Sequence, residues 1–118
     1  MVRREEVERF LEDFTCKLEY WGLYIRTDRT NPKNTLTLLE LELTHAHVRK
    51  ILEKLEPEDY SKGPLADTLY NFTEMWVFGK IIKGREIYIK IQLGRPQSQA
   101  ICISFHFAEH KMEYPLKK

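Results

Sequence analysis

Three segments in the C-terminal half, residues 75–82, 86–93 and 100–107, alternate side-chain character with period two and are rich in Ile, Val, Phe, Tyr and Trp. That period belongs to half-buried strands, not helices. Residues 83–85 and 94–99 supply turn-forming sequence between them, so the three form an antiparallel meander. The N-terminal half has a different period. Val7, Phe10, Leu11, Phe14 and Leu18 follow one stripe of a 3.6-residue repeat and predict a helix over residues 3–20, ended by Gly22. Residues 23–27 read as a short strand or an extended connection. Residues 28–34 are turn-forming, with Asn34 placed to cap a short helix over 35–41 that turns Leu36, Leu39 and Leu43 inward. Thr44 is an N-cap for a third helix, 45–55, with Val48, Ile51, Leu52 and Leu55 on one side and Pro57 as its stop. Residues 58–73 read as mostly loop, with a turn of helix near 65–69, and Lys117-Lys118 as a frayed end.

Helices first and strands later give an α+β class, with N-terminal helices packed on one face of a small antiparallel sheet. A chain of 118 residues makes one domain, 1–118. Its apolar runs are too short to cross a bilayer, and MVRREEVERF lacks the apolar stretch of a signal peptide. Two cysteines, Cys16 and Cys102, form no disulfide framework and read as reduced thiols in the cytoplasm. Residues 1–60 carry 10 Lys/Arg against 13 Asp/Glu, and residues 61–118 carry 9 against 5. The basic half can attract phosphates, although the whole chain lacks the strong basicity typical of nucleic-acid binders.

Alternation also assigns faces. Ile87, Ile89 and Ile91 point to the helices, and Tyr88, Lys90 and Gln92 point away. In the third strand Ile101, Ile103, Phe105 and Phe107 point inward, and Cys102, Ser104 and His106 outward. A loop of residues 95–99 pairs Gln92 with Cys102, Lys90 with Ser104 and Tyr88 with His106, which sets a phenol and an imidazole about 5 Å apart on an open sheet surface. A three-residue turn at 83–85 adds Lys80 to this cluster. A two-residue turn sends Lys80 to the core face, where burying a charge is costly, so the longer turn is expected.

Such a group suits RNA cleavage without a metal or other cofactor. Imidazole can take or give the proton, lysines hold the charge of the phosphorane, and tyrosine donates a hydrogen bond or stacks on a base. Cys102, His106, Glu109 and His110 carry metal-ligand atoms but lack zinc-site spacing. His45 and His47, two apart on a helix, face different directions. A non-catalytic module that docks a protein on the same sheet face or edge is the competing reading.

Asp59-Tyr60-Ser61-Lys62, Met75-Trp76, Gly84 leading to Ile87-Tyr88-Ile89-Lys90-Ile91, and Ile101-Cys102-Ile103-Ser104-Phe105-His106 follow one another in an order that resembles the MqsR toxins of bacterial type II toxin–antitoxin systems. The resemblance implies a RelE-like fold, a metal-independent endoribonuclease acting on mRNA, and a cognate antitoxin, often with a helix-turn-helix DNA-binding domain. It places Lys62 at a functional lysine and Tyr88 at the family's strand tyrosine. His106 stands where better-known members have a lysine. The family's glutamine after the tryptophan is replaced by Val77, with Lys80 as the candidate substitute. The expected catalytic set is therefore His106, Tyr88, Lys62 and Lys80, with Lys90, Arg85 and Gln92 binding RNA.

Overall fold

The computed structural model describes residues 2–69 and 73–117. Its elements run α1 (Arg4–Trp21), β1 (Leu23–Ile25), α2 (Lys33–Leu41), α3 (His45–Glu53), a 3-10 turn (Pro57–Asp59), β2 (Tyr60–Leu65), β3 (Met75–Ile82), β4 (Arg85–Gln92) and β5 (Ala100–Phe107). The class is α+β, with one five-stranded sheet ordered β1-β5-β4-β3-β2. The sheet is mixed rather than antiparallel, because β1 lies parallel to β5. Two helices separate β1 from β2, so no tight turn imposes an antiparallel partner on it.

The core is one cluster. Val7, Phe10, Phe14 and Leu18 of α1, Leu41 of α2, and Val48 and Leu52 of α3 join Trp76, Phe78, Ile87, Ile89, Ile91 and Phe105 of the sheet. Phe10 stacks on Trp76 with ring centroids 4.9 Å apart. The expected stripes of α1 and α3 are thus the buried ones. The stripe expected for α2 is rotated: Leu36 and Leu39 are exposed, and Thr37 and Leu41 are buried. A helix this short carries too few turns to fix its buried face by periodicity, and its docking on β5 decides it. Residues 60–65 form an edge strand where a loop was expected, and no helical turn forms at 65–69. Gly63 and Pro64 obscure the strand pattern there, and residues 70–72 lie outside the described set.

Asn34 does not cap α2, whose N-cap position is held by Pro32 with no side-chain capping bond. Its side chain fills a gap in the sheet instead. The β1–β5 ladder ends at Ile25 opposite Cys102, with the Arg26 N–H donating to the Cys102 carbonyl. Beyond that point the Asn34 amide donates to the carbonyls of Arg26 and Ile103, and its carbonyl accepts from the Phe105 N–H at 2.8 Å. One side chain thus substitutes for the next peptide group of β1.

The register of β4 with β5 is as expected from Ile87–Phe107 to Lys90–Ser104, including Tyr88 opposite His106. A β-bulge then shifts it, so that Ile91 faces Cys102 and Gln92 faces Ile101. The extra residue is Ile103. Cys102 therefore points into the core, wholly buried, and Ile101 and Ile103 turn to the outer face. Burial pushes the Cys102 thiol up to about 12, which marks it as inert packing. Cys16 and Cys102 are both free thiols.

Replacing Asn34 with Ala strands a buried N–H and a carbonyl of β5. It is expected to lower unfolding free energy by about 2 kcal/mol or more in urea titrations. Leu39→Ser, on the exposed side of the same helix, is expected to change it by less than about 0.5 kcal/mol.

Candidate active site

Two rows of residues cross the outer face of the sheet. Lys62, Val77, Lys90 and Ser104 stand side by side on β2, β3, β4 and β5, and Gly79, Tyr88 and His106 form the next row. The Tyr88 and His106 rings stack with centroids 5.2 Å apart and planes 11° from parallel. The ammonium groups of Lys62 and Lys90 lie 6.0 and 5.9 Å from the centre of the Tyr88 ring. These four side chains line one cavity of about 580 Å³.

Protonation follows from geometry. His106 Nδ1 sits 3.0 Å from the Phe107 carbonyl oxygen. A carbonyl only accepts, so Nδ1 carries the hydrogen and Nε2 is the nitrogen left to exchange a proton with a ligand. Burial raises the Tyr88 pKa, so its phenol stays protonated and donates. Burial lowers the Lys90 pKa, helped by the positive charges of Lys62 and Arg26 and opposed by Asp67.

The surface is not open as expected. The chain after β5 folds back across it. Glu86, on the same face of β4, accepts from the Met112 N–H and from the Tyr114 hydroxyl at 2.7 Å. Gly79 makes room for this: a Cβ there would lie 2.2 Å from the Tyr114 hydroxyl oxygen and 2.9 Å from the Met112 sulfur. A glycine inside a strand pattern is the one sequence signal that could have revealed the docked tail. His110 and Lys111 of this tail line the cavity along with Ser61, and periodicity assigned none of them. Lys117 is tied to the same segment, its N–H donating to the Tyr114 carbonyl, and is not frayed. Lys118 lies outside the described residues.

Three expected site residues stand elsewhere. The β3–β4 turn has two residues, Lys83 and Gly84, both with positive φ, so Lys80 faces Ile87 on the core side. The burial cost is avoided because Lys80 reaches Asp59, with Nζ 3.1 Å from Oδ2. Arg85 has the parity of Ile87. It pairs with Glu40 at 3.1 Å and lies 3.9 Å above the Phe107 ring. Gln92 keeps the outer parity but is only 1% exposed, because its amide donates to Asp67 and to the Thr73 carbonyl. Lys80, Arg85 and Gln92 are therefore not part of the cluster.

The mixed Cys102, His106, Glu109 and His110 set does not converge, since Cys102 is on the core side. His45 and His47 face different directions and serve the scaffold. His45 Nε2 meets the Leu23 carbonyl at 2.8 Å, and His47 Nδ1 accepts from the Thr44 N–H. Among the described residues no helix is long and apolar enough to cross a membrane. Comparison with protein-family models, curated proteins and solved structures finds no match to this chain.

Gly79→Ala is expected to lift the tail from the sheet. The Tyr114–Glu86 bond would be lost, stability would fall by about 1–3 kcal/mol, and limited proteolysis after residue 108 would accelerate.

Proposed function

We propose that this chain is a metal-independent endoribonuclease, an mRNA-cleaving toxin of the MqsR type with a RelE-like fold, neutralised by a cognate antitoxin bearing a helix-turn-helix domain. The observation that carries the reading is the stacked Tyr88–His106 pair, with one imidazole nitrogen tied to backbone and two lysines beside it. The resemblance of residues 59–107 to that family and the independent assignment of sheet faces single out the same pair.

The reaction uses these groups as follows. Nε2 of neutral His106 takes the proton of a ribose 2′-hydroxyl. The 2′-oxygen bonds to the adjacent phosphorus, and the bond from phosphorus to the 5′-oxygen breaks. The Lys90 ammonium, made more acidic by burial and by Lys62, gives its proton to the departing 5′-oxygen. Tyr88 donates a hydrogen bond to a phosphoryl oxygen, and Lys62 offsets its negative charge. The products are a 2′,3′-cyclic phosphate and a 5′-hydroxyl. Docking by strand addition is less well supported. The β2 edge is broken by two register shifts and by Pro64, which has no N–H to offer a partner strand.

Purified protein is expected to cut RNA in EDTA. His106→Ala should slow cleavage by about 10²–10⁴-fold and relieve growth arrest in a host lacking the antitoxin. Tyr88→Phe should slow it by a smaller factor. Cleavage at the wild-type rate by both variants would remove them from the mechanism.

An acid must be protonated to act, so activity should fall as pH rises through the Lys90 pKa. That limb should begin below the ordinary lysine value of about 10.4. In a pH–rate profile Lys90→Arg should lower the plateau and move the limb upward. An unmoved limb would exclude Lys90 as the acid.

A further inference from the structure

The bulge in β5 creates a second cavity on the outer face, of about 380 Å³, near the lower end of the roughly 300–1,000 Å³ that small-ligand sites occupy. Ile101 and Ile103, turned outward by the extra residue, give it apolar surface. Tyr24 stands directly opposite Ile101 on β1 and is half exposed. Arg26, Thr27, Gln92 and Arg95 complete the lining, with the Gln92 amide already held by Asp67 and the Thr73 carbonyl. The frame is fixed: Asn34 and Cys102 hold the Arg26 backbone, and the Lys17 ammonium donates to the Arg95 carbonyl.

We infer that this cavity is a nucleobase subsite for the RNA strand cleaved at Tyr88 and His106. The inference rests on the endoribonuclease reading and adds to it where a base is held. An aromatic ring beside aliphatic side chains gives a flat base a stacking surface, and guanidinium groups donate to base acceptor edges or stack on them. The placement suits one continuous strand. Ile103 is three residues from His106 along β5, or about 10 Å at the usual strand rise. Lys90 lines the first cavity and Gln92, two residues on along the same face of β4, lines the second, so one strand connects them.

The test uses uncleavable 2′-O-methyl RNA hexamers with a fluorescent end, each carrying one abasic nucleotide, titrated against wild-type protein. One abasic position should weaken binding about tenfold, the loss of a stacked base. The same position should be neutral with Tyr24→Ala and with Arg95→Ala, and should keep most of its effect with Tyr24→Phe. Thermal unfolding checks that each variant is folded. Equal abasic profiles for wild type, Tyr24→Ala and Arg95→Ala would overturn the subsite. If cleavage still required His106, the endoribonuclease reading would stand without it. Absence of any RNA binding or cleavage by the wild-type protein would overturn both.

Discussion

One extra residue in β5, stitched in place by the Asn34 amide, determines which side chains the sheet shows to each side. Upstream of Ile103 the even-numbered Ala100 and Cys102 face the core, and downstream the odd-numbered Phe105 and Phe107 do. Without the bulge one half of the strand would present the wrong face. A bulge leaves backbone groups unpaired, and buried groups of that kind are costly. Asn34 supplies the missing partners from α2 and thereby locks that helix onto β5. The position of α2, the outward turn of Ile101 and Ile103, and the placement of His106 beside Tyr88 share this origin.

Electrostatics around the site follow from where the carboxylates are committed. Asp59 is drawn to Lys80, Glu40 to Arg85 and Glu109 to Lys33. Glu86, the acidic group nearest in parity to the site, accepts two hydrogen bonds from the tail. Burial and the Glu86 carboxylate raise the Tyr114 pKa, so that hydroxyl remains a donor. Lys62 and Lys90 meanwhile sit on the sheet face with each other's charge in view. Glu109 and Glu113 also line that cavity, and Asp67 acts on Lys90, so the two ammonium groups face a lining of mixed charge. Their half-enclosed position strengthens their pull on an anion relative to bulk water.

Period-two alternation was enough to read three strands and the core face of β4, which depend on parity alone. The Tyr88–His106 contact was read through a loop length that pairs Gln92 with Cys102, whereas Gln92 faces Ile101. It is the bulge at Ile103 that brings Tyr88 and His106 opposite each other. Features that depend on tertiary partners were not legible. Lys80 is tolerated on the core side only because Asp59, distant in sequence, meets it. Gln92 is sealed by Asp67 and Thr73 across a loop. The α2 stripe was misassigned because Asn34, which looks like a cap, is a sheet ligand. The docked tail left a single trace, Gly79, whose missing side chain makes sense only once Tyr114 is known to lie against it.

The site is pinned by the core beneath it. Glu86, Tyr88 and Lys90 occupy alternate positions of β4, so one strand presents the tail anchor, the phenol and the cation. Ile87, Ile89 and Ile91 occupy the intervening positions and are wholly buried. A one-residue slip of β4 would exchange the two sets. Exposing three isoleucines would cost about 5–9 kcal/mol, before any penalty for burying a lysine and a glutamate. That is comparable with the whole stability of a small domain, about 5–15 kcal/mol. Polar side chains on the outer face need no stabilising contacts of their own to hold register, because the apolar side holds it for them. Residues at 86, 88 and 90 are thereby free to be chosen for chemistry, which is how a half-buried phenol, a perturbed lysine and an anchoring carboxylate can share one short strand.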